Sequence, residues 1–123
     1  MPVREYQVKV STTGSAASAT GSNSVAVPLG ELVGVYLDFN SSAPATTDTT
    51  ITSTGGPVTT TILTVTNSAT DAWVFPGEQM DDNVAAAITG AYQHPLVFGH
   101  ITIALAGSDA LTNALIAWLY VKE

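Results

Sequence analysis

Apolar side chains recur at every second position through most of this 123-residue chain, and nowhere do they hold the three-and-four spacing of a long helix. The clearest run is Val97 to Leu105, where Val97, Gly99, Ile101, Ile103 and Leu105 share one face and His100 points the other way. Val3 to Val10 alternates as well, with Tyr6, Val8 and Val10 opposite Glu5, Gln7 and Lys9, the pattern of a half-buried strand. Leu32 to Phe39 offers Val33, Val35, Leu37 and Phe39 as a core face. It follows a short strand around Val25 and Val27 and a turn at Pro28-Leu29-Gly30. Thr46 to Ser53 is rich in threonine, with Ile51 its one large apolar residue, and reads as an edge strand. Val58 to Thr66 has Ile62, Leu63 and Val65 as buried candidates, and Ala72 to Phe75 is a short aromatic strand. Gly107 to Asn113 joins Val97–Leu105 to Leu115–Val121 in what reads as a hairpin. The one helical candidate is Asp81 to Ile88, capped by Asp81, Asp82 or Asn83 and stopped by Gly90, with an irregular loop as the alternative. The expected fold is all-β, an antiparallel β-sandwich or small barrel of about seven to eight short strands with at most one short helix.

Leu115 to Val121 is apolar on both faces. Leu115, Ala117, Leu119 and Val121 form one, and Ile116, Trp118 and Tyr120 the other. Neither face suits water, so the second is expected either to pack on the core or to meet another subunit. Near the start, residues 14–24 are nearly all glycine, serine, alanine and threonine, with no side chain large enough to anchor them. They read as a flexible linker between an N-terminal strand or arm, residues 1–13, and a body, residues 25–123.

Charged residues make up only 11% of the chain, against about 25% in ordinary soluble domains. With so few charges, part of the surface is expected to be covered in a homo-oligomer or larger assembly. The formal charge of −7 repels phosphate backbones and anionic lipid, so neither nucleic acid nor a membrane is an expected partner. No apolar stretch approaches the length of a membrane helix, and the start lacks the pattern of a signal peptide. All three bases, Arg4, Lys9 and Lys122, lie near the two ends, and there is no cysteine for a disulfide or thiolate site.

Catalytic and cofactor motifs are missing. Residues 11–121 have no lysine to follow a glycine-rich phosphate loop, and Gly21-Ser22-Asn23-Ser24-Val25 departs from the nucleophile-elbow pattern. His94 and His100, with Asp81 or Asp82, are the only candidates for a zinc site, and their spacing matches no ligand motif. Glu78, Asp81 and Asp82 lack the alternate-position acids of a calcium loop. No metal, cofactor or catalytic residue is therefore expected. Trp73, Phe75, Tyr92 or Trp118, if exposed, would suit stacking on a sugar ring, although aromatic residues in small β-domains are more often core. Asn40-Ser41-Ser42 has the form of a glycosylation sequon.

Three stretches together carry a resemblance: Leu32-Val-Gly-Val-Tyr-Leu-Asp-Phe39 followed by Ala43 to Ile51, Thr61 to Thr70 running into Trp73-Val-Phe-Pro76, and Ile88 to Tyr92 before Pro95 to Ile103. They resemble small β-rich virion structural proteins of tailed bacteriophages, over roughly residues 30 to 121. The resemblance implies a capsid decoration, or cement, protein on the outer capsid surface, made in the bacterial cytoplasm, with the major capsid protein and copies of itself as partners. A tail or head-fibre component that contacts the host and a small carbohydrate-binding module are the alternatives. On this reading Tyr6, Val8, Val10, Ile116, Trp118 and Tyr120 are candidate interface residues. The N-terminal strand either pairs within its own sandwich or docks as an arm on the capsid or on a neighbouring copy.

Overall fold

The computed structural model describes residues 2–81 and 84–123, and the described residues contain no helix. Nine strands follow in order: β1 (Val3–Val10), β2 (Ala19–Phe39), β3 (Asp48–Ser53), β4 (Thr60–Val65), β5 (Ala72–Val74), β6 (Glu78–Asp81), β7 (Ala87–Gln93), β8 (Leu96–Ser108) and β9 (Leu115–Lys122). Seven of them pair antiparallel in the order β1-β9-β2-β8-β3-β4, with β5 also on β2, and the sheet does not close into a barrel. β6 and β7 form a separate hairpin. The fold is all-β and sandwich-like.

β2 organises the rest. Its first half pairs with β8 from Ala19 to Glu31, and its second half with β9 from Glu31 to Phe39 and with β5 at Val35 to Leu37. The change of partner occurs at Pro28-Leu29-Gly30, where the β8 register shifts between Val27 and Gly30. Proline has no N–H to give to a ladder, so it belongs where pairing is interrupted. The expected turn is thus an irregularity inside one 21-residue strand. A second shift, between Leu32 and Gly34, turns Leu32 into the core and leaves Val33 only half-buried, which corrects the expected face by one residue. The shared strand also corrects the expected hairpin. β8 and β9 do not pair with one another, because β2 runs between them.

The inward residues of both halves form one core. Val8 and Val10 of β1 join Leu32, Val35, Leu37 and Phe39 of β2, Ile51 of β3, Val97, Ile101, Ile103 and Leu105 of β8, and Leu115, Ala117, Leu119 and Val121 of β9. The N-terminal strand therefore pairs within its own chain, Val3 opposite Lys122 through Val10 opposite Leu115. The docking-arm alternative gives way to the in-chain one because β1 supplies two fully enclosed valines.

Residues 14–24 are not a free linker either. Ala19 onward belongs to β2, Thr13 bridges Thr20, and the Ala17 N–H donates to the Asp109 carboxylate at 2.8 Å. Thr12 bonds to the 109–111 loop through its N–H and its hydroxyl. Small residues here serve close approach: a side chain on Gly21 would collide with the Ser11 carbonyl oxygen. β3, expected at an edge, lies between β8 and β4, so the edge strand is β4. The helical candidate falls partly on Asp82 and Asn83, which lie outside the described residues. Before them the chain is the extended β6, ending at Asp81; after them Val84 and Ala85 form a turn, Ala85 at a φ of 63°, and β7 begins at Ala87.

The surface area of 6531 Å² slightly exceeds the roughly 6,200 Å² typical of a monomer of this mass. Among the described residues the backbone of β6 and β7 comes close to no other strand.

Because Ile51 is enclosed between β8 and β4, Ile51→Ala should cost about 2–5 kcal/mol, measured by urea unfolding, whereas an edge position would lose far less. Deleting residues 1–13 uncovers β9 and removes Val8 and Val10 from the core, and should abolish the cooperative thermal transition.

Candidate interaction surface

The face of β2 and β9 that looks away from the core is aromatic. On β2 the residue between Val35 and Leu37 is Tyr36, and on β9 the residues between the buried positions are Ile116, Trp118 and Tyr120. Antiparallel register aligns them, placing Tyr36 directly opposite Trp118 on one side and Trp73 of β5 on the other. One row across the sheet therefore reads Gln7, Trp118, Tyr36, Trp73. The next row reads Glu5, Tyr120, Gly34.

Gly34 leaves a gap that Phe75 fills. A Cβ there would lie 3.3 Å from the Phe75 ring and 4.0 Å from the Trp73 ring. Trp73 is the hub of the cluster, with ring centroids 5.1 Å from Tyr36, 5.4 Å from Tyr120 and 6.0 Å from Phe75, the last with its ring nearly parallel at 5°. Such separations suit favourable ring pairing. The cluster remains open to solvent all the same, with Trp73 53% and Phe75 71% exposed. Glu5, Tyr36, Trp73, Trp118 and Tyr120 bound a shallow slot in this face.

Glu5 closes the slot at the β1 side. Its Oε2 accepts a 2.8 Å hydrogen bond from the Tyr120 hydroxyl. That bond, then desolvation and the negative charge of Glu5, hold the Tyr120 phenol above its ordinary value of 10.0. The raised value means that whatever stability the hydroxyl contributes is complete at neutral pH and is lost only as pH climbs past the ordinary tyrosine range.

A second exposed apolar region surrounds the base of the β6–β7 hairpin. Phe75 and the 64%-exposed Tyr92 line one cleft with Glu31 and His94. Leu29 and Leu96 line another with Glu31 and Lys122. Phe75 belongs to both the aromatic face and this region, so the two are continuous.

The candidate interface residues divide between core and surface. Val8 and Val10 are interior and Tyr6 packs half-buried against the core, whereas Ile116, Trp118 and Tyr120 lie half-buried on the outer face. Of the aromatic residues considered for stacking, Trp73, Phe75 and Trp118 converge on that face and Tyr92 stands on the hairpin. Tyr36 and Glu5 complete the slot without having been singled out. Their signal was parity alone, since both occupy outward positions of alternating strands.

His94 lies 3.9 Å from Glu31, while His100 is exposed on β8, four extended residues or about 13 Å beyond Leu96. Among the described residues no group of three histidines or carboxylates is placed to hold a metal ion. Asn40 of the sequon uses its amide in a turn, accepting from the Ser42 N–H and donating to the Thr112 carbonyl. No protein-family model, curated protein or solved structure matches the chain.

Absorbance-monitored alkaline titration should show the Tyr120 phenol ionising above the ordinary tyrosine range. Glu5→Ala should lower that step, and an unchanged profile would refute the Glu5–Tyr120 pairing.

Proposed function

We propose that this chain is a non-enzymatic structural protein of a phage particle, a decoration protein that attaches in several copies to the outer capsid surface and stabilises the shell. The observation that carries the reading is the outer sheet face, where Tyr36, Trp73, Phe75, Trp118 and Tyr120 form one partly exposed aromatic surface. Clustered exposed aromatic rings with few charges among them are the usual composition of the centre of a protein–protein contact. The resemblance of residues 30 to 121 to phage virion proteins supplies the partner, the major capsid protein. The net charge of −7 fits a position outside the shell, away from packaged nucleic acid.

A carbohydrate-binding reading has one specific observation in its favour. Trp73 and Phe75 are exposed, parallel aromatic rings, and an exposed ring face is the kind of surface on which a sugar ring rests.

One experiment separates the two. The purified chain is co-sedimented with expanded tailed-phage capsids that lack decoration protein, and is screened in parallel on a glycan array. Decoration requires saturable capsid binding that Trp73→Ala weakens at least tenfold, in line with the loss of a central aromatic contact of about 1.4 kcal/mol or more. Glycan binding without capsid binding would replace this reading with the second.

A further inference from the structure

The aromatic slot has a chemical bias beyond being apolar. Its walls are the rings of Tyr36, Trp73, Trp118 and Tyr120, and among the described residues its one charged lining group is the Glu5 carboxylate. Ring faces carry negative electrostatic potential, so rings and carboxylate together favour a cation. The hydrogen bond from Tyr120 to Oε2 fixes that carboxylate beside the rings, and a carboxylate has acceptor capacity beyond one such bond. None of the chain's own bases lines the slot. Arg4, the neighbour of Glu5 in sequence, places its Nε 2.8 Å from Glu123, and Lys122 lines the separate cleft with Leu29 and Leu96.

We infer that this slot receives a single arginine side chain presented by the protein on which the sheet docks. Arginine fits better than lysine because its planar guanidinium stacks flat on a ring while its edge still donates to a carboxylate. The inference rests on the docking reading above and adds to it the chemistry of the partner's contact residue.

The test uses the full-length chain and three probes: acetyl-Gly-Arg-Gly-amide, the same peptide with citrulline, and glucose. Citrulline keeps the shape of arginine and removes its charge. The chain has two tryptophans, Trp73 and Trp118, so two indole N–H resonances report directly on the slot and are assigned with Trp118→Phe. Both should shift saturably with the arginine peptide, which should bind roughly three- to tenfold more tightly than the citrulline peptide. Glu5→Gln should remove most of that preference by weakening binding of the arginine peptide.

Equal binding of the two peptides, no indole shift with either, or a shift with glucose alone would overturn the inference. The outcomes separate from those of the capsid experiment. Capsid binding that depends on Trp73, without arginine preference, leaves docking standing and removes the cation. Arginine preference without capsid binding keeps the slot and removes the capsid as its partner.

Discussion

The molecule depends on β2 serving two sets of partners. A 21-residue strand is too long and too twisted to stay in one flat layer, and it bends where its ladder with β8 lapses at Pro28 to Gly30. Before the bend it pairs with β8, and after it with β9 and β5. Since β3 and β4 extend from β8 and β1 extends from β9, the β1–β9 pair, β5 and the β8–β3–β4 group are joined in one sheet through β2. The core lies against both halves, which is why Val27 and Leu37, ten residues apart on one strand, belong to one apolar cluster.

This arrangement explains what could be read from the chain order and what could not. The alternation of Val97 to Leu105 and of Leu115 to Val121 revealed both strands and their inward faces correctly, because burial of one face imposes a period of two directly on the residues. Pairing is a different matter. β8 and β9 follow one another and looked like a hairpin, yet the strand between them was made eighty residues earlier, and alternation carries no record of the neighbour across a ladder. Val33 was misassigned for a related reason. One extra residue in the ladder inverts parity locally without altering composition.

Residues 14–24 show the same limit in another form. Small side chains look like freedom, but at Gly21 they permit backbone contact too close for any larger residue. The stretch is held by main-chain bonds at Thr13 and Thr20 and by the Asp109 carboxylate, none of which leaves an apolar signature. The outer slot was half legible. Trp73, Phe75 and Trp118 stood out as large rings, but their convergence depends on the β2–β5 and β2–β9 registers, and the second of these shifts at Val33.

That bulge links fold to surface. Without it Gly34 would not stand opposite Tyr120, and the gap that admits Phe75 would fall elsewhere on the sheet. The residue that breaks the inward pattern of β2 therefore also sets the outward one, aligning Tyr36 between Trp118 and Trp73. Burial of the core alone requires only the inward row of β9. The rings on its opposite side remain partly in water, and in a chain with so few charges they are an apolar feature left for another surface to cover. On the proposed reading, β9 is apolar on both faces because one face folds this chain and the other attaches it.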